Sequence, residues 1–195
     1  MTKYLVHIFF IVVATLAVVV FVSRQKSTVL PTFIKTDEIA VKHESKIVLA
    51  EPTTRIVPSK EAQAQFKLDY NNIWAHLNHL YSTNNVEEGK EYYTEDFFKS
   101  ICKNRAVLPV PRINREDKSH NIVLQSWSWD GLVCVGVDTS LIFKYTIQNK
   151  KSYYTKAKVA FALLFQGDHW RIDGIKFIEE RTEAEEDLVG SFQLQ

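Results

Sequence analysis

Cysteine is nearly absent from this chain of 195 residues, and its charge favours neither sign. Cys102 and Cys134 are the only two cysteines, and neither sits in a C-x-x-C pair or beside paired histidines, so no zinc-site pattern is present. An exported form has at most one disulfide to make, and two buried free thiols are the simpler expectation. With 24 Lys+Arg against 23 Asp+Glu, the net charge of +1 supplies no basic field for nucleic acid. No N-x-S/T sequon and no internal repeat occur. What the chain does have is apolar residues, 46% of the total with 12% aromatic, enough for a real core.

The longest apolar run is at the start. From Tyr4 to Val22 only His7 and Thr15 interrupt it. A helix of that length just spans a hydrocarbon core of roughly 30 Å. The run exceeds a signal-peptide core and ends in Val-Val-Val-Phe-Val-Ser-Arg-Gln without a small-x-small cleavage pattern, so an uncleaved anchor over 1–23 is expected. The amino terminus and Lys3 nearly balance Arg24 and Lys26. The very short leading tail favours the N-in form. The expectation is a single-pass protein of an inner membrane, with its domain outside the cytoplasm.

Residues 24–58 read as a stalk broken by Pro31, Pro52 and Pro58, in which Ile47-Val48-Leu49-Ala50 is able to add an edge strand. Ser59 then N-caps a helix whose apolar stripe is Phe66, Tyr70, Ile73, Trp74, Leu77, Leu80 and Tyr81. Asp69, Asn72, His76 and His79 fall on the opposite, solvated face. A second helical stretch from Val86 to about Lys103 has Thr94 as an internal cap. Pro109, Pro111 and the charged run Arg115-Glu116-Asp117-Lys118 predict a loop over 105–119.

After that loop the apolar period shortens from about 3.6 residues to about 2. Strands are predicted over Ile122 to Trp129, then along Val133, Val135, Val137, Leu141, Phe143, Tyr145 and Ile147. Tyr153, Ala157, Val159, Phe161, Leu163 and Phe165 mark the next, and Trp170, Ile172, Ile175, Phe177 and Ile178 the last. Helices followed by an antiparallel meander make an α+β layout, a single domain over 59–182 with an acidic tail over 183–195.

The capped aromatic helix, the short helix reading Glu91-Tyr92-Tyr93-Thr94-Glu95-Asp96-Phe97 and the hairpin reading Gly167-Asp168-His169-Trp170-Arg171-Ile172 resemble the NTF2-like superfamily of cone-shaped α+β barrels. With an N-terminal span, the layout is similar to VirB8-like components of bacterial secretion and conjugation machines. The resemblance implies helices packed on a curved antiparallel sheet that curls around an interior closed by the first helix. Tyr70, Trp74, Phe143, Tyr145 and Phe161 would line that interior as an apolar pocket, or fill it.

No residue is singled out as catalytic, and no metal or cofactor is indicated. The inward registers read as apolar, Asp138 alternates with Val137 and so should point outwards, and Asp173 sits near a bend. His76 and His79 lack an acidic or sulfur partner, and His169 is read as a surface residue. Trp127 and Trp129 share one face of a strand and either pack or form a contact surface. On the outer sheet face the even-numbered Asp138, Ser140, Lys144, Lys156 and Lys158 mix with Ala160, Ala162, Leu164 and Trp170, so a homodimer through Leu164 is expected. The function that follows is a membrane-tethered, non-catalytic assembly or binding module in a bacterial envelope complex, with protein partners and no nucleic acid. The alternative is a tethered enzyme or carrier of a small apolar ligand.

Overall fold

Ser59 is extended (φ −61°, ψ 164°), and its Oγ accepts the N–H of Ala62 at 3.2 Å, satisfying a donor the first helical turn leaves over. That cap starts α1 (Lys60–Thr83) in the computed structural model, which describes residues 38–104, 113–147 and 151–183. The apolar run 4–22, residues 24–37 of the stretch read as stalk, residues 105–112 of the loop expected over 105–119, residues 148–150 and the tail from 184 lie outside the described residues. Among the described residues no helix is long and apolar enough to cross a membrane. Asn84 ends α1 in the left-handed conformation (φ 57°), its N–H bonded to the Leu80 carbonyl at 2.8 Å. A 3₁₀ turn (Glu87–Tyr92) follows. Thr94 then caps α2 (Glu95–Asn104) by accepting the N–H of Phe97 at 3.3 Å.

One sheet takes the rest: β1 (Lys46–Leu49), β2 (Ile113–Trp127), β3 (Val133–Ile147), β4 (Lys151–Gln166) and β5 (His169–Glu183), neighbours in chain order. β1 runs parallel to β2, and every other pairing is antiparallel. The α+β class is therefore observed, with helices on a curved five-stranded sheet. The stretch read as stalk contributes β1 and continues along β2 through Ala50 N–H to Ile122 O (2.9 Å) and Thr53 N–H to Leu124 O (3.0 Å). Gly131 (φ +73°) and Gly167 (φ +76°) sit in the turns between β2 and β3 and between β4 and β5, in a backbone region that side chains with a Cβ disfavour.

α1 lays Phe66, Tyr70, Ile73, Trp74, Leu77 and Leu80 onto Ile122, Leu141, Phe143, Val159, Phe161, Leu163, Trp170 and Ile172, and this is the core. Four expectations need correction. β2 begins at Ile113, not Ile122, because Arg115 and Asp117 find partners inside the sheet instead of remaining in water. On β3, a one-residue bulge between Asp138 and Leu141 switches the parity. Inward positions are thus Cys134, Gly136 and Asp138 before the bulge and Leu141 and Phe143 after it, while Val133, Val135 and Val137 take the other face. Asp138 is completely buried and does not point outwards. Trp170 is likewise in the core, against Phe66 and Trp127, and not on the outer face.

The fourth correction concerns the helix face read as solvated. The 3₁₀ turn and β5 pack against it, so Asp69 and His76 are buried. Asp69 accepts the backbone N–H of Trp170 at 2.9 Å and is bonded by Gln65, while His76 stacks on Tyr92 at 4.7 Å. Burial raises the pKa of Asp69 against those hydrogen bonds. Both cysteines are free, but Cys102 is exposed on α2; Cys134 is buried on β3, where burial pushes its thiol up to about 12.

Candidate functional site

The aromatic residues expected in the interior come together there. Tyr70 stands 6.3 Å from Trp74 and 5.1 Å from Phe161, Trp74 stands 5.4 Å from Phe143, and all four are buried. Tyr145, half-buried, continues the chain of rings 5.8 Å from Phe143 and 5.8 Å from Tyr81. Ring-to-ring packing at these distances occupies the space a ligand would need.

Between these rings runs a polar network that the apolar reading of the inward registers misses. His120 presents Nδ1 to Asp138 Oδ2 at 2.6 Å and Nε2 to Asp117 Oδ2 at 2.7 Å, with all three side chains fully out of solvent. Tyr70 donates its hydroxyl to Asp138 at 3.4 Å, and the backbone N–H of Asn121 bonds the other Asp138 oxygen at 3.0 Å. Asp117 also takes a bond from His43 Nε2 at 3.0 Å and one from the Asn78 amide. Arg115 closes the set, donating to Asn78 Oδ1 at 2.8 Å and to the Leu77 carbonyl at 3.0 Å, with its guanidinium over the Tyr81 ring (4.5 Å) and the Phe143 ring (4.8 Å).

Burial works against charge at both ends of the His120–Asp117 pair, yet mutual hydrogen bonding wins. The His120 imidazolium is lifted to about 9 by Asp117 and Asp138. His120 and His43 hold the Asp117 carboxyl well below the usual carboxylate range. At neutral pH, His120 is therefore a cation donating from both nitrogens. With both committed to carboxylates, neither nitrogen remains to accept a substrate proton, so the trio is arranged for structure rather than for acid–base work. Among the described residues no group of His, Cys, Asp or Glu could hold a metal ion. Asp173 accepts from Thr94 Oγ1 at 2.8 Å. His169, the first residue of β5, bonds Asp168 and the Glu91 carbonyl. His79 pairs with Glu88.

The signal for this network was in the sequence, but faint. Arg115 and Asp117 sit two apart as inward positions on a strand would, and His120 and Ile122 repeat that spacing after a register shift. Only the distant partners, His43, Asn78 and Asp138, make the arrangement worth its desolvation.

Outside, two apolar regions stand out. Along the sheet's outer face, Val123, Val137 and Ala160 lie side by side in register, as do Val135 with Ala162 and Val133 with Leu164. Leu164 is half-buried there. At the end of the sheet where β2 turns into β3, the two tryptophans part company. Trp127 is buried against Trp170 at 4.9 Å, whereas Trp129 lies in the turn and is 87% exposed. They do not share a strand face, because β2 ends between them. An open groove of about 630 Å³ runs beside them, lined by Ile56, Val57, Pro58, Trp127, Trp129, Leu132, Phe165 and Trp170.

No protein-family model matches this chain, and no curated protein matches it in sequence.

Proposed function

We propose that this chain is a membrane-tethered, non-catalytic assembly module, its domain an NTF2-like cone and its layout similar to VirB8-like components of bacterial secretion and conjugation machines. The observation that carries the reading is the contrast between a sealed interior and an apolar exterior. His120 spends both ring nitrogens on buried carboxylates, and Tyr70, Trp74, Phe143 and Phe161 fill the space around it. Val133, Val135, Ala160, Ala162 and Leu164 meanwhile form an aliphatic surface on the outer face. Such a surface is more useful to a partner than to a lone domain. The anchor over 4–22 supports tethering, with the domain outside the cytoplasm of a bacterial inner membrane. The alternative, a tethered enzyme or apolar-ligand carrier, requires an opening to Tyr70 and His120 that those rings occupy.

The test is crosslinking of the full chain in native membranes, then light scattering in detergent. The expected outcome is a dimer or larger assembly of the wild type and a folded species of lower mass for Leu164→Glu, since a charge on the aliphatic face carries its water into the contact. Monomer alone for the wild type, with nothing crosslinked, overturns the reading.

A further inference from the structure

Trp129 is almost wholly in water, yet the turn that carries it is tightly built. Ser128 Oγ accepts the backbone N–H groups of Leu132 (3.0 Å) and Val133 (2.8 Å), and Asp130 Oδ1 accepts that of Leu132 at 3.0 Å. Ser128 N–H reaches Val133 O at 2.9 Å, and Gly131 N–H reaches Ser128 O at 3.0 Å. These bonds fix the backbone that carries a large exposed ring, which lowers the ordering cost that a partner would otherwise meet. The groove beside it has an aromatic floor. On the wall formed by the turn the backbone is already bonded within the turn and to Phe165, so an occupant finds ring faces there rather than a ladder of free N–H and C=O groups. That favours an extended proline-bearing segment, which brings no ladder of its own.

Charge narrows the choice. The charged residues lining the groove are Glu61 and Asp130, both acidic, and both carboxyls are held below their ordinary values by local hydrogen bonds. One stretch of this chain has the complementary chemistry: residues 105–112 read Arg-Ala-Val-Leu-Pro-Val-Pro-Arg, apolar, with two prolines and an arginine at each end. It cannot serve its own groove. It joins β2 at Ile113, while Trp127 lies at the far end of that strand. The separation is about 40 Å, and eight residues reach at most about 28 Å.

We propose that the groove at Trp129 docks residues 105–112 of a second copy, with Arg105 and Arg112 near Glu61 and Asp130. This rests on the reading of the chain as an assembly module and names a second contact for it. The contact is heterologous, one end of a molecule against the other end of the next, so it builds rings or open rows rather than closed pairs.

The experiment uses the full chain in lipid nanodiscs and a fluorescein-labelled peptide of sequence RAVLPVPR, read by anisotropy. Saturable binding is expected, about tenfold or more weaker for Trp129→Ala, and similarly weaker for a peptide with glutamate at both arginine positions. Glu61→Gln should weaken binding less, and Leu164→Glu should leave it unchanged. Absence of saturation, or equal binding by Trp129→Ala or by the glutamate peptide, overturns the docking proposal. If that happens while Leu164→Glu still dissolves the assembly of the full chain, the assembly-module reading stands and only the groove's occupant is wrong. Loss of both discards the two together.

Discussion

The two ends of β2 treat their side chains in opposite ways. Near its start, the strand carries Arg115, Asp117 and His120 into the interior, where each finds a bonded partner. Just beyond its other end, it releases Trp129 into solvent while Trp127, two residues earlier, is buried. Polarity alone decides neither placement. A charged group enters when opposite charges and hydrogen bonds wait inside, and an aromatic ring stays outside when the turn is bonded so as to hold it there. The first end ties the strand into the core through buried hydrogen bonds. The second gives the domain a surface.

The largest effects should come from breaking the closed end. Asp138→Ala removes one carboxylate from a buried cation and leaves His120, Tyr70 and the Asn121 N–H short of an acceptor. The expected loss is about 3–5 kcal/mol in urea unfolding. An unmoved urea midpoint would mean that the trio is not formed in solution. Trp74→Ala should cost a similar amount, about 3–5 kcal/mol, because the ring is fully buried between α1 and Phe143. An unchanged melting temperature would show that the stripe of α1 does not cover the sheet.

The placement of those residues was only partly legible in the sequence. The α1 stripe, the Ser59 cap and the Thr94 break were readable because periodicity and capping depend on neighbours within one turn. Asp138 was not, since a single extra residue at Thr139-Ser140 reverses the face that alternation assigns. Nor was the start of β2, because Arg-Glu-Asp-Lys looks solvated until His43, Asn78 and Asp138 are brought to it from distant parts of the chain. The outer surface was legible in its residue types but not in its edges: Trp129 sits just past the strand that was expected to hold it.

A smaller effect follows from pH. His120 titrates near 6.5 when unfolded and about 9 when folded, so the stability it contributes is fully present below pH 6.5 and is lost as pH rises through about 9. Asp117 has the opposite sign: its folded value lies below the ordinary 3.8, so its share is present above that value and lost as pH falls. Urea midpoints should therefore be highest between about pH 4 and 6.5 and should fall from there towards pH 9. The fall should flatten in His120→Gln. A profile as steep in that variant would assign the titration to another group.

The smallest effect belongs to the open end. Trp129→Ala should change stability by no more than about 0.5 kcal/mol, since the ring buries little within its own chain. A drop comparable to that of Trp74→Ala would show that Trp129 is packed in solution.

The latch at His43 also has a mechanical consequence. His43 bonds Asp117 at 3.0 Å, its carbonyl takes the Asn71 amide at 3.2 Å, and Ser45 bonds Asn71 at 3.0 Å, just before β1 lies parallel on Ser119–Ile122. Tension arriving from the N-terminal side and directed along the strand therefore loads these bonds in shear. They share the force instead of opening one at a time, as a peeled hairpin does. Such a pull loads the bond to the same carboxylate that holds His120, so the segment leading into β1 is fastened directly to the core.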